Sequence, residues 1–121
     1  MAGKKVFLVE DDADLAEAFA EALSLEGFVV ETTNRAEVVV STASAYQPDI
    51  ILLDGLLNYQ NTVPICRQLK SQQDTHEIPV ILVSGHHEAK SWALEACADA
   101  VLPKPVSIPE LVSTMQDWIT G

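Results

Sequence analysis

Three uninterrupted apolar tetrads, Val6-Phe7-Leu8-Val9, Ile50-Ile51-Leu52-Leu53 and Val80-Ile81-Leu82-Val83, restrict what this chain can fold into more than any other feature. A strand with one wet face alternates apolar and polar residues, whereas an unbroken apolar run belongs to a strand covered on both faces. The segments between the tetrads carry helical spacing. Leu15, Phe19, Ala22 and Leu23 share one helical face, and Gly27 closes that helix. Phe28-Val29-Val30 reads as a further strand. Asn34 and Glu37 have the spacing of a capping box, opening a helix with Ala36, Val39, Val40 and Ala43 on one face that Pro48 stops. Val63, Cys66 and Leu69 mark a third helix, with Pro64 in its first turn. Ala89, Trp92, Ala93 and Ala96 mark a fourth. Ala100-Val101-Leu102 is a short strand ended by Pro103, which suits a sheet edge. Ser107 and Glu110 cap a last helix carrying Leu111, Met115 and Ile119. The alternation predicts an α/β fold, a doubly wound parallel sheet of five strands with five helices.

The chain has 121 residues, 48% of them hydrophobic, which is enough for a real core and excludes a disordered acidic tail. Five βα units with short loops predict a single domain over 1–121. The net charge of −11 argues against gripping a nucleic-acid backbone, which requires clustered Lys and Arg, and leaves a basic protein partner open. No apolar run approaches a membrane span, and the N-terminal residues lack the apolar region of a signal peptide. Cys66 and Cys97 are too few for a disulfide scaffold and lack metal-ligand spacing, so they read as reduced core residues of a cytoplasmic protein.

Polar residues stand where the strands end. The first is followed by Glu10-Asp11-Asp12, the third by Asp54, the fourth by Ser84 and the fifth by Lys104-Pro105. In doubly wound sheets the ligand site lies beyond these carboxyl ends. Carboxylates gathered there repel one another unless a cation sits among them, and a few hard oxygens with room for water suit Mg²⁺. A carboxylate beside such an ion can act as nucleophile toward a phosphoryl group, with Lys104 and the Ser84 hydroxyl orienting its oxygens. Taken singly, each residue has a plainer explanation. Asp12 and Asp14 suit the start of the first helix, Asp49 suits a turn, and His76, His86 and His87 suit solvated loops. Co-occurrence at four strand ends is what those explanations do not predict.

These segments, with Pro48-Asp49 before the third strand and Ile78-Pro79 before the fourth, resemble the receiver domain of two-component response regulators along essentially the whole chain. The resemblance implies a flavodoxin-like strand order of 2-1-3-4-5. It implies Asp54 as phosphoacceptor, Asp11 and Asp54 as direct Mg²⁺ ligands, the Leu56 backbone carbonyl as a further ligand, and Glu10 reaching the metal through water. Ser84 would be the switch hydroxyl and Lys104 the phosphate-pairing cation, with a cis peptide before Pro105. The donor would be a phosphohistidine on a sensor histidine kinase or histidine phosphotransfer protein. The domain would then be an acceptor and not an enzyme in the usual sense, passing its signal to a downstream protein.

The departures are as informative. Members usually carry Pro four residues after the acceptor and Gly eight after it, where this chain has Asn58 and Thr62. Asn58 and Asn61 tolerate left-handed backbone and are expected to stand in for the missing Gly. Val101 replaces the usual aromatic ring, and the stretch between Ser84 and Lys104 is short. Output is therefore expected through the helix carrying Trp92 and not through a ring at position 101. The alternative is a receiver-like interaction module that takes no phosphate. Related α/β enzymes fit poorly. A dehalogenase-type phosphatase needs a carboxylate at Leu56, and a flavin domain needs a Ser/Thr- and Gly-rich loop where Glu10-Asp11-Asp12 stand.

Overall fold

The computed structural model describes residues 3–85 and 98–119. Strands β1 (Lys5–Val9), β2 (Val29–Thr33), β3 (Ile50–Asp54), β4 (Val80–Ser84) and β5 (Ala100–Pro103) form one sheet in the order β2-β1-β3-β4-β5. Every neighbouring pair in it is parallel. Helices α1 (Ala13–Leu25), α2 (Val39–Tyr46), α3 (Val63–Ser71) and α4 (Ile108–Trp118) connect or follow the strands. The helix expected around Trp92, together with His86, His87 and Cys97, lies outside the described residues.

The apolar tetrads are continuous because the sheet is covered twice. Phe7, Val9, Ile51, Leu53, Val80 and Leu82 face Val39 and Ala43 of α2 and Val63, Cys66 and Leu69 of α3. Their alternates, Val6, Leu8, Ile50, Leu52, Ile81 and Val83, face Leu23 of α1 and Leu111, Val112 and Met115 of α4. Each aliphatic side chain taken fully out of water contributes about 1.5–3 kcal/mol, so both faces of the three central strands must be apolar. β5 is an edge strand and only half-buried, as its closing Pro103 suggests.

β2 differs from its expected span. It runs to Thr33, with Lys5 to Val9 of β1 paired residue by residue to Val29 to Thr33, while Phe28 precedes the strand and packs into the core. An edge strand buries little, so polar Glu31, Thr32 and Thr33 are recruited by the length of β1 and not by their own pattern.

The caps divide. Asp12 caps α1, accepting the Leu15 amide at 3.1 Å, and Ser107 with Glu110 forms the expected capping box on α4. Gly27 follows α1 with φ +97°, a backbone region open to glycine at little cost. Asp49 is a turn residue that pins the start of β1, its carboxylate accepting the Lys5 amide at 2.7 Å. The Asn34–Glu37 box does not form. Glu37 instead accepts from Arg35 Nε at 2.7 Å, a 3₁₀ turn over Ala36–Val38 leads into α2, and Val38 at its N-cap makes no side-chain cap. A guanidinium two residues away is a stronger partner for the Glu37 carboxylate than a neutral amide. Among the described residues no helix is long and apolar enough to cross a membrane.

Candidate functional site

Because all five strands are parallel, their carboxyl ends lie along one edge of the sheet. Glu10 and Asp11 follow β1, Asp54 closes β3, Ser84 closes β4 and Lys104 follows β5. These residues, with Asp12, Leu15, Leu56 and Gly85, line a cleft of about 500 Å³. Glu10 (5% exposed), Asp54 (6%) and Ser84 (2%) are buried at its floor. Glu10, Asp11 and Asp54 each offer a carboxylate oxygen, all within 4.8 Å of one another. Lys104 Nζ stands 3.3 Å from Asp54 Oδ2 and 3.4 Å from Glu10 Oε1. The Lys104–Pro105 peptide is cis.

The electrostatics divide the acids. Burial, then the charge of Glu10, push the Asp54 carboxyl up to about 7, against the opposing pull of Lys104 and the Leu56 amide. Burial acts on Asp11 in the same sense, but the Asn58 amide, with hydrogen bonds to Glu10 and Asp54, outweighs it and holds Asp11 below its ordinary value. Burial works against the charged Lys104, and the attraction of Asp54 and Glu10 prevails, raising it. One proton is therefore held preferentially at Asp54. The Asp12 side chain is spent on its helix cap, and its amide donates to Glu10 Oε2 at 3.1 Å.

Between β3 and α3 the chain forms a small antiparallel hairpin, Leu56–Leu57 against Gln60–Asn61. Its two turn residues both have left-handed backbone, Asn58 at φ 51° and Tyr59 at φ 65°, the pattern of a type I′ turn. Asn58 thus takes the conformation expected of it, but Asn61 does not. Asn61 lies in the hairpin arm and its Oδ1 accepts the Val63 amide at 2.8 Å, while Tyr59 takes the second left-handed position. A two-residue I′ turn needs positive φ at consecutive residues, which places that demand on Tyr59. The hairpin delivers the Leu56 amide to Asp54 Oδ1 at 3.2 Å and the Asn58 amide to Asp11 Oδ2 at 3.0 Å. Asn58 Nδ2 also donates to the Asn34 carbonyl at 3.0 Å, tying the hairpin to the end of β2.

Thr62 is the residue that sequence reasoning passed over. It is fully buried, and its hydroxyl donates to the Asp54 carbonyl at 2.7 Å. Its only signal in the sequence was its place where similar chains usually have glycine. Val101 is half-buried on the edge strand and packs against the α2–α3 side of the core; Trp92 lies outside the described residues.

A sequence model described as the response regulator receiver domain matches residues 6–116. The phosphate regulon transcriptional regulatory protein PhoB of Pseudomonas aeruginosa is 34% identical over 96% of this chain and 52% of its own length. The response regulator MprA of Mycolicibacterium vanbaalenii is 29% identical over 93% of this chain and 48% of its own. The chain thus spans about half the length of these relatives. Among solved structures, the receiver domain of sensor histidine kinase PA1611 from P. aeruginosa, with a magnesium ion coordinated in its active-site cleft, superposes with a TM-score of 0.89. It is 25% identical, and the match covers 98% of each chain.

Proposed function

This chain belongs to the response regulator receiver domain family, and from that premise and the cleft's geometry we propose that Asp54 is its phosphoacceptor. The observation that carries the proposal is the placing of Asp54 at a buried strand end, with carboxylate oxygens of Glu10 and Asp11 within 4.8 Å and Lys104 Nζ at 3.3 Å. A carboxylate oxygen of Asp54 would form a bond to phosphorus as the phosphorus–nitrogen bond of a donor phosphohistidine breaks. The imidazole leaves with the electron pair, and an acyl phosphate remains. Lys104 would pair with the phosphoryl oxygens and Ser84 would approach them from the end of β4.

The donor set fits a magnesium ion, with three hard carboxylates close together, two of them buried, and room for water in the cleft. Asp11 and Asp54 would hold it directly, Glu10 through water, and the Leu56 carbonyl from the cleft wall. Bound there, such an ion neutralises phosphoryl oxygens and orients the transfer. In its absence Asp54 holds its proton up to about pH 7. That proton relieves repulsion from Glu10, and it also keeps Asp54 from acting as a nucleophile.

The donor is a sensor histidine kinase or histidine phosphotransfer protein in the cytoplasm. The domain acts as acceptor, with no turnover of an outside substrate beyond its own phosphorylation and dephosphorylation. Residues 1–121 act as one receiver domain, and the signal leaves by protein contact. Val101 is stiff and has no ring to reorient, so the route runs from Ser84 and Gly85 toward Trp92. Acetyl phosphate with Mg²⁺ should add one phosphate to the wild type and none to Asp54→Asn by mass spectrometry. Equal labelling of both proteins would refute the assignment.

A further inference from the structure

Both hydrogen-bond donors of Thr62 are turned back onto the backbone of Asp54 and Gly55. Oγ1 lies 2.7 Å from the Asp54 carbonyl oxygen and 3.2 Å from that of Gly55, and the Thr62 amide donates to the Gly55 carbonyl at 3.1 Å. A hydroxyl has one proton, so the shorter contact, to Asp54, is its main bond. β3 pairs with β1 as far as Leu53 and with β4 as far as Asp54, where the Gly55 amide donates to the Val83 carbonyl at 2.9 Å. On the β1 side the pairing stops one residue short, and the Asp54 carbonyl of the same peptide accepts from the Thr62 hydroxyl. Thr62 therefore closes the base of the loop whose far part is the Leu56–Asn61 hairpin.

We propose that Thr62 is a positioning residue for phosphoryl transfer: its hydroxyl holds the peptide after Asp54, and through it the carboxylate of Asp54 and the hairpin amides that bind Asp54 and Asp11. The inference rests on Asp54 being the acceptor. Rotating the 54–55 peptide would swing the Asp54 side chain relative to an incoming phosphorus. It would also pull the Leu56 amide from Asp54 and the Asn58 amide from Asp11, bonds now at 3.2 and 3.0 Å. A misplacement of about 1 Å can cost on the order of a hundredfold in rate. The backbone at Thr62, with φ −92° and ψ 5°, makes no demand for glycine, so Thr62→Val and Thr62→Ser test the hydroxyl, whereas Thr62→Gly also frees the backbone.

Wild type, Thr62→Val, Thr62→Ser and Thr62→Gly would be compared for labelling by acetyl phosphate with Mg²⁺, followed by mass spectrometry. In that reaction an Asp54 oxygen bonds to phosphorus as the bond from phosphorus to the bridging anhydride oxygen breaks and acetate leaves with the electron pair. Valine keeps the shape and removes the donor. Its labelling should slow roughly ten- to a hundredfold. Serine should restore most of the rate. The amide resonances of Leu56 and Asn58 should move in Thr62→Val and return in Thr62→Ser. A residue that only stabilised the fold would lower the unfolding midpoint and leave labelling per folded molecule unchanged. Should Thr62→Val fail to fold, Thr62→Gly against Thr62→Ser decides: slow labelling in the first alone supports the proposal. Wild-type rates in Thr62→Val, or in Thr62→Gly, overturn it. An unlabelled wild type would instead overturn the reading of Asp54.

Discussion

The amide of Asn58 donates to the carboxylate of Asp11 at 3.0 Å, across 47 residues of sequence. Through that bond a short hairpin following β3 closes over the acidic turn following β1. A proline at this position could make no such bond, because it has no amide hydrogen.

Asn58→Pro should therefore open the hairpin. Proline cannot adopt φ 51°, and the Asp11 carboxylate would lose a backbone donor. We expect a loss of about 1–3 kcal/mol in urea unfolding. Asn58→Gly, which keeps the amide and the left-handed backbone and loses only the Nδ2 bond to the Asn34 carbonyl, should lose much less than Asn58→Pro.

Metal-free stability should fall as pH rises from about 4 to about 7. The Asp54 carboxyl is raised from 3.8 to about 7, so across that window the folded protein keeps a proton that the unfolded chain has released. The slope should reach at most about 1.4 kcal/mol per pH unit and vanish above the window. Asp54→Asn should flatten it, and so should saturating Mg²⁺, in urea titrations at stepped pH. A stability that rises with pH across this range would contradict the assignment.

Lys104→Met should raise the proton affinity of Asp54 further. Lys104 lies 3.3 Å away and favours the ionised carboxylate, while burial and Glu10 oppose it. Carbon NMR of the Asp54 carboxyl should show its midpoint moving above that of the wild type.

Tyr59 is 99% exposed and sits at φ 65°, so its ring contributes no packing to offset an unfavourable backbone. Left-handed backbone costs a non-glycine residue about 1–2 kcal/mol, part of which glycine returns as unfolded-chain entropy. Tyr59→Gly should stabilise the protein by up to about 1 kcal/mol. Tyr59→Val, which is β-branched, should destabilise it by a similar amount in the same urea assay.

The amino-acid sequence by itself determined the buried strands and most of the helices. A side chain hidden on either face of a sheet must be apolar wherever it points, and this requirement is written locally in Val6 to Val9, Ile50 to Leu53 and Val80 to Val83. The caps at Asp12 and at Ser107–Glu110 were equally legible, since cap and capped amide lie within three residues. Asn34 and Glu37 had the same spacing and form no cap, because Arg35 offered a charged competitor. Parallel topology then made it foreseeable that Glu10, Asp11, Asp54, Ser84 and Lys104 would meet at one edge. What only the tertiary structure decided is how they meet. The proton held at Asp54, the hairpin closed over Asp11 and the Thr62 hydroxyl on the Asp54 carbonyl all depend on burial and on distances of about 3 Å between separate segments. Hydrophobic periodicity records which face is dry; it carries no term for a hydrogen bond whose partners become neighbours only when the sheet is assembled.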